Sequence, residues 1–250
     1  MRRFFIEKEH IDGKEALITG REVNHLKNVL RLKAGEDVQV FDGTGIEYDA
    51  IIKTVSSEAI TIDLVKQFSS NLASPVEVTI GQAFLKDKKM DTIVRHLTEL
   101  GMVRWIPFIA SRSIPRPDKK KLAQRGERWR KIVKESLKQC RLSTLPEISD
   151  TVSFDELLQL SDECDLKVFF WEEEVVSLST IEKNLDKKPK KIFIMLGPEG
   201  GFSEEEASAA KEKGFITASL GPRIMKADTA SVVALSLIQY IFGDIGKNIS

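Results

Sequence analysis

A glycine-rich turn lies between an apolar stretch and a helix start in segment 192–206, IFIMLGPEGGFSEEE. The apolar residues are typical of a buried strand that ends at Leu196, and Ser203 with Glu206 has the spacing of a capping box. In open α/β sheets, ligands bind at the carboxyl ends of strands, where such turns expose backbone N–H groups. The segment therefore predicts a ligand-binding turn, although one such motif taken alone is more often a plain strand-to-helix connection.

A second Leu-Gly-Pro sequence begins at Leu220, 24 positions after Leu196. The stretch ITASL (216–220) is typical of a strand, and it runs directly into this second turn and Arg223. Two such turns, delivered by two successive strands of one β-α-β unit, could line one pocket.

The chemistry of the first turn favours a cationic ligand. Its four carboxylates would repel a triphosphate or pyrophosphate, although a helix N-terminus alone would attract one. The Lys-Ser/Thr of a P-loop and the G-x-G-x-x-G spacing of dinucleotide folds are both missing. S-adenosylmethionine (AdoMet) has no phosphate and carries a sulfonium and an ammonium cation, so an acidic, glycine-rich turn tolerates it far better. The four acidic residues are Glu199, Glu204, Glu205 and Glu206.

The pattern of predicted strands and helices changes at the polar, turn-rich segment 69–75. Before this segment the chain has short extended stretches and one helix at 23–30, which favours a small barrel. After it, strands alternate with helices, which favours a mostly parallel sheet. The predicted fold class is α/β, with domains at 1–72 and 73–250. The larger domain is predicted to hold strands at 76–84, 103–109, 168–171, 191–196 and 216–220, and helices at 90–100, 119–142, 203–213 and 228–242.

Composition narrows the class of protein. The 250 residues are 42% hydrophobic and 30% charged, as in ordinary globular proteins. No apolar run is long enough for a membrane span, and the N-terminal sequence lacks the apolar region of a signal peptide. Two cysteines and three histidines leave little material for a zinc site or a disulfide framework, so no metal is expected. A reduced, cytoplasmic setting is predicted.

Charge is distributed unevenly although the net charge is zero. Segment 86–131 holds fourteen Lys and Arg against five Asp and Glu. A positive surface there could bind a polyanion such as RNA. Solvated helix faces explain the same pattern equally well, so charge alone leaves both interpretations open.

Taken together, LGPEGGFS and LGPRIMKADTA resemble the signature of the small-subunit (16S) ribosomal RNA uridine-N3 methyltransferase family, RsmE, of the SPOUT superfamily. The resemblance covers nearly the whole chain in the right order. Further agreement comes from HLKNVLR (25–31), FDG (41–43), TELG (98–101), RS (112–113), RW with KI (128–132) and PEI (146–148).

The resemblance implies a PUA-like RNA-binding β-barrel followed by a SPOUT domain with a parallel sheet and a C-terminal trefoil knot. It also implies a homodimer, with helix 228–242 in the knot and the dimer contact; an ordinary core helix is the alternative. AdoMet would lie in bent form among three loops. Their cofactor-binding residues would be Phe170, Trp171, Glu172, Leu196, Gly197, Pro198, Glu199, Gly200, Gly201, Leu220, Gly221, Pro222, Ile224 and Met225.

The implied activity is N3-methylation of a uridine of the uridine 1498 type in 16S rRNA of the small subunit. This reaction removes a weakly acidic imide proton, so a carboxylate and a cation near the pocket would assist it. We take Asp228 and Arg223, both beside the second turn, as the catalytic candidates. Asp228 could instead cap the final helix.

Basic residues are the candidates for RNA contact, because Arg and Lys hold phosphates without reading sequence. The chain departs from the family pattern at Arg95-His96, Arg141-Leu142 and Lys226 to Asp228. Two alternatives remain, a SPOUT methyltransferase for another RNA or a ribose 2′-oxygen, and a non-catalytic ribosome-assembly factor. The RNA candidates are Arg2, Arg3, His25 and Arg31 in the barrel, and Arg112, Arg116 and Arg141 in the larger domain.

Overall fold

The computed structural model describes residues 2–70, 72 and 74–247, without the side chains of Arg21, Glu22 and His25. The chain divides into two compact units. The first comprises residues 1–73 together with 137–145, and the second comprises residues 74–136 with 146–250. Segment 137–145 thus belongs with the N-terminal residues, which the domain boundary predicted at residues 72 and 73 did not include.

The first unit contains a six-stranded sheet with the order β1-β4-β5-β6-β3-β2. Every neighbouring pair is antiparallel except β1 and β4, which run parallel. Closure of this sheet into a barrel remains a prediction. The strands are β1 (Arg2–Phe5), β2 (Ile11–Asp12), β3 (Glu15–Thr19), β4 (Asp37–Phe41), β5 (Ile46–Val55) and β6 (Ala59–Ser69).

Alternation of apolar and polar residues places one face of these strands in a core that includes Ile18, Val40 and Ile62. A hairpin joins β4 to β5, and in its turn the Asp42 carboxylate accepts hydrogen bonds from the backbone and side chain of Thr44. The predicted helix at 23–30 differs in type, because α1 (Arg21–Asn24) continues as a π-helical turn (His25–Val29).

Arg3, on β1, forms hydrogen bonds with segment 137–145. Its guanidinium donates to the carbonyl oxygens of Leu137 (2.6 Å) and Leu142 (2.9 Å) and to Oγ of Ser143 (2.7 Å). It also forms an ion pair with Glu47 at 3.5 Å, and only 7% of the Arg3 side chain is exposed. Desolvation by burial lowers the pKa of Arg3, against the effect of Glu47.

The second unit contains a seven-stranded sheet in which every pair is parallel, as predicted. Its order is β10-β8-β7-β12-β11-β13, and β9 also pairs with β8. The strands are β7 (Glu77–Ala83), β8 (Arg104–Ile109), β9 (Glu147–Ile148), β10 (Val152–Ser153), β11 (Leu166–Phe170), β12 (Lys191–Leu196) and β13 (Ile216–Ala218).

Each of the four helices predicted for this part of the chain lies close to its predicted bounds, and two short helices, at 154–159 and 178–183, were not predicted. None in the described part of the chain is both long and apolar enough to cross a membrane. The trefoil knot remains a prediction. The helices are α2 (Lys89–Glu99), α3 (Lys119–Cys140), α4 (Phe154–Gln159), α5 (Leu178–Lys183), α6 (Glu204–Glu212) and α7 (Ala227–Ile241).

Helix α3 ends two residues earlier than predicted because Arg141 adopts a left-handed conformation, with φ of 63°. A residue in this conformation commonly terminates an α-helix, and glycine is favoured there because it has no Cβ. Arg141 has a Cβ, so it is a strained residue at the end of this helix.

Candidate functional site

Three loops leave the same edge of the parallel sheet. Strand β11 lies between β12 and β13, and both pairings are parallel, so the carboxyl ends of the three strands are neighbours. The loops enclose a cavity of about 970 Å³, within the upper range of ligand pockets. The two Leu-Gly-Pro turns therefore converge on one cavity, with the loop after β11 between them.

Nearly all of the residues proposed for the cofactor line this cavity. Gly200 is outside it: its carbonyl oxygen accepts a hydrogen bond from Arg112 (3.2 Å), and a Cβ on Gly200 would lie 3.3 Å from that of Arg112. The lining includes Phe170, Trp171, Glu172, Leu196, Gly197, Pro198, Glu199, Gly201, Leu220, Gly221, Pro222, Ile224 and Met225, with Arg223.

Several lining residues escaped the sequence analysis. The most informative is Lys89, which begins α2 at the carboxyl end of β7, the strand beside β12. Its position after a predicted strand was the available signal, because parallel strands end at a common edge. The others are Glu174, Val175, Ser177, Ala218, Ser219, Lys226, Ala227 and Ala230.

Gly201 permits the close approach of two loops. Its φ is +67°, and a Cβ there would lie 1.8 Å from Oε1 of Glu172. Only a residue without a side chain allows the Glu172 carboxylate to lie against this backbone. The N–H of Gly201 donates to the carbonyl of Pro198 at 3.0 Å, which closes the turn. The first glycine-rich turn and the loop after β11 are thus directly packed together.

The predicted capping box is present at the start of α6. The N–H of Glu206 donates to Oγ of Ser203, and the Glu206 carboxylate accepts from the N–H of Ser203 at 3.0 Å. Glu206 is buried and accepts two further bonds, from the N–H (2.8 Å) and the hydroxyl (2.9 Å) of Ser111. This carboxylate therefore binds the loop after β8 to the helix that follows the first turn.

The expectation that four carboxylates surround the ligand needs correction. Among them only Glu199 lines the cavity. The Glu206 carboxylate is buried and accepts hydrogen bonds from within the protein, while Glu204 and Glu205 are exposed on the first turn of α6. A hydrogen bond from the Ser203 hydroxyl is the main cause that lowers the pKa of Glu205.

Glu199 is neutralised by a lysine. Its Oε1 accepts from Nζ of Lys89 at 2.9 Å and from the backbone N–H of Lys86 at 3.1 Å. Burial opposes ionisation of Glu199, but the bonds from Lys89 and Lys86 outweigh it, so the pKa of Glu199 is lowered. The hydrogen bond to Glu199 also raises the pKa of Lys89, with a smaller contribution from the charge of Asp228. The pair is therefore ionised at neutral pH.

Glu174 is likewise occupied. Its carboxylate accepts from the hydroxyl of Thr217 and from the N–H of Val175 (2.9 Å), and these bonds lower the pKa of Glu174. The backbone N–H of Trp171 donates to the carbonyl of Ala218 at 3.1 Å, which fixes the same loop to the end of β13. These contacts stabilise the loop after β11.

The second turn supplies unpaired cations. Among the described residues, Arg223 and Lys226 line the cavity without a hydrogen bond or ion pair from their side chains. Asp228 does not line it and does not cap α7, whose N-cap is Lys226. Its Oδ1 is buried and has no hydrogen-bond partner in the described structure. The capping interpretation of Asp228 is therefore wrong, and its free oxygen remains available as a proton acceptor.

The residues predicted to contact RNA have different surroundings. The Arg3 side chain is buried, and both of its terminal guanidinium nitrogens donate hydrogen bonds inside the first unit, so its RNA role is corrected to a structural one. Arg141 belongs to that first unit and not to the larger domain. The His25 side chain lies outside the described residues. Arg2, Arg31, Arg112, Arg116 and Arg141 are exposed, although Arg2, Arg112 and Arg116 donate to backbone carbonyls.

Two protein-family models match the chain. One, described as an RNA methyltransferase domain, matches residues 72–239, and the other, described as an RNA methyltransferase PUA domain, matches residues 18–65. The first match covers the parallel sheet with the cavity at its carboxyl edge, and the second lies within the smaller sheet that precedes it. The two matches therefore assign the chain to the RNA methyltransferases.

Relatives match over the full length. Ribosomal RNA small subunit methyltransferase E of Bacillus subtilis is 35% identical over 248 residues, covering 96% of each chain. The Aquifex aeolicus protein of the same name is 30% identical, covering 95% of this chain and 99% of its own. The crystal structure of that enzyme from Neisseria gonorrhoeae, bound to S-adenosyl methionine, is 27% identical with a TM-score of 0.87 and coverages of 98% and 99%. The chain belongs to the ribosomal RNA small subunit methyltransferase E family.

Proposed function

We propose that this chain transfers the methyl group of AdoMet to N3 of a uridine in 16S rRNA, at a position of the uridine 1498 type. Membership of the family makes the chain an AdoMet-dependent rRNA methyltransferase. The convergence of three strand-end loops on one cavity is the observation that carries the proposal for the pocket.

The residues around the cavity fit AdoMet. Leu196, Leu220 and Met225 offer apolar contact for the adenosine, while Glu172 and Lys226 offer charges of both signs for a ligand that carries cations and a carboxylate. The glycine turns leave backbone groups accessible, as ligand-binding turns at strand ends require. The bound cofactor would supply an electrophilic methyl group on sulfur.

We assign the cationic role to Arg223 and the proton-accepting role to Asp228. An imide proton leaves the uridine N3 as the new N–CH₃ bond forms, and the sulfur keeps the electron pair of the bond that breaks. The unpaired guanidinium of Arg223 would stabilise negative charge on the uridine, and the unpartnered oxygen of Asp228 would receive the proton. Holding AdoMet and the uridine in the reactive geometry supplies much of the rate enhancement.

The homodimer and the cytoplasmic setting are parts of the same proposal. Large apolar side chains are exposed on the second turn (Ile224, 91% exposed), on the loop after β11 (Val175, 89%) and on α7 (Tyr240, 63%). Exposed apolar patches commonly mark protein contacts, which supports a dimer that covers them. The exposed arginines, Arg2, Arg31, Arg112, Arg116 and Arg141, are proposed to hold RNA phosphates.

The test is methyl transfer in vitro from deuterium-labelled AdoMet to small subunits from a strain that lacks the enzyme, followed by mass spectrometry of nucleosides. Labelled N3-methyluridine is the expected product. A labelled 2′-O-methylnucleoside would replace the proposal with the ribose alternative, and an unlabelled RNA despite AdoMet binding would favour an assembly factor.

The same assay tests the residue roles. Arg223→Ala and Asp228→Asn are each expected to lower kcat by at least about tenfold, since single general acid–base or charge-stabilising groups contribute on the order of 10² or more. Unchanged turnover of Asp228→Asn with intact AdoMet binding would remove Asp228 from the mechanism.

A further inference from the structure

Among the described residues, three carboxylates line the cavity, and one of them has no partner. Glu199 is paired with Lys89, Glu174 is held by Thr217 and backbone N–H groups, and Glu206 is buried in its capping box. Glu172 lines the cavity, is exposed, and has no hydrogen bond or ion pair among the described residues.

Packing fixes the position of this free carboxylate. The Glu172 carboxylate lies against the backbone of Gly201, whose missing side chain leaves the space for it. The loop that carries Glu172 is held on either side, by the bond from Trp171 N–H to Ala218 and by the internal bonds of Glu174. The negative charge of Glu172 therefore lies at the pocket and is not neutralised by a hydrogen bond or ion pair among the described residues.

We propose that Glu172 selects the charge of the ligand, so that the pocket holds AdoMet more tightly than its product S-adenosylhomocysteine. This inference rests on the proposed function. The two molecules differ by one methyl group and one positive charge, because transfer converts the sulfonium into a neutral thioether. A fixed carboxylate lining the pocket attracts the ligand with the extra positive charge. Loss of that charge in the reaction weakens the hold on the product and favours exchange for a new cofactor.

Calorimetric titration of the full chain with AdoMet and, separately, with S-adenosylhomocysteine tests this selectivity. Glu172→Gln keeps the shape that packs against Gly201 and removes only the charge. The variant is expected to weaken AdoMet binding about fivefold, the upper range for a partly exposed charge pair, and to change product binding less than about twofold. Raised ionic strength should reduce the preference for AdoMet in the wild type but not in Glu172→Gln.

Glu173→Gln is the matched control, because Glu173 is the adjacent exposed carboxylate and does not line the cavity. It should leave both affinities unchanged. Equal weakening of both ligands by Glu172→Gln, or no weakening of either, would overturn the charge selection while leaving the proposed function intact. A wild-type chain that binds neither ligand would overturn the proposed function as well.

Discussion

Two neighbouring arginines that look alike in the sequence differ in surroundings and in role. Arg2 is exposed, and its guanidinium donates to the carbonyl of Leu30 at 2.9 Å. Arg3 faces the interior of the first unit, where it holds backbone carbonyls from a segment more than 130 residues away. A sequence pattern cannot separate these roles, because the partners of Arg3 come from a distant part of the chain.

Replacing Arg3 with Met is expected to lower the free energy of unfolding by about 3 kcal/mol, since removing one partner of a buried pair leaves an uncompensated charge on Glu47. Urea denaturation followed by circular dichroism measures the change. Arg2→Met is the control, with a change of less than about 0.5 kcal/mol expected for an exposed residue. Equal effects of the two substitutions would contradict the structural role of Arg3.

The pocket residues were partly predictable for a physical reason. Turns at the ends of parallel strands share one edge, so the sequence was enough to place the two Leu-Gly-Pro turns at one pocket, whereas the loop at 170–172 was expected only from the family resemblance. Lys89 could not be paired with Glu199, because 110 positions separate them and only the sheet order brings them together. The neutralised state of Glu199 was therefore missed, and Glu206 was wrongly counted as a pocket charge.

At the scale of elements, two helices start with the same capping box. Ser153 with Glu156 begins α4, and Ser203 with Glu206 begins α6 directly after the first glycine-rich turn. Local sequence fixes both; the capping box predicted the start of α6, whereas the start of α4 was not predicted. Their neighbours differ, because only α6 follows the turn at 196–201, which lines the cavity with every residue except Gly200.

Ser203→Ala and Ser153→Ala should each cost about 1 kcal/mol of stability through the lost cap. Only Ser203→Ala is expected to weaken AdoMet binding, by roughly threefold, because a less ordered turn must be ordered on binding. Thermal denaturation and calorimetric titration of both variants measure the two effects. Equal AdoMet affinities in the two variants would show that the cap of α6 does not organise the pocket.

The end of α3 offers a stabilising substitution. Arg141 has φ of 63°, a conformation that costs a residue with a side chain roughly 1–2 kcal/mol relative to glycine. Arg141→Gly is therefore expected to raise the free energy of unfolding by about 1 kcal/mol. Arg141→Ala keeps the Cβ and should give no such gain in the same denaturation experiment. A gain from alanine equal to that from glycine would exclude backbone strain as the cause.

For the molecule as a whole, the two compact units do not follow one cut in the sequence. Residues 137–145 lie within the sequence of the larger unit yet belong to the first. Within the first unit, the Leu145 N–H donates to Gly43 (2.8 Å) and the Gly45 N–H to Ser143 (3.1 Å). Hydrophobic periodicity gave the strands and helices but carries no signal for this return of the chain, which depends on long-range contacts.

A chain that begins at residue 74 loses these partners of segment 137–145. Trypsin is expected to cut it after Arg141 faster than it cuts the full chain, because cleavage follows the population of locally opened segments. Cleavage after the exposed Lys187 is the internal control and should stay the same. Mass spectrometry of the fragments gives both rates, and equal cleavage after Arg141 would contradict the assignment of this segment to the first unit.

Hydrogen–deuterium exchange with and without AdoMet tests most directly whether the three loops form the cofactor site. The account predicts slower exchange in peptides that cover 170–172, 196–201 and 220–225, with no change in α4. Binding of AdoMet without protection of these loops would contradict it.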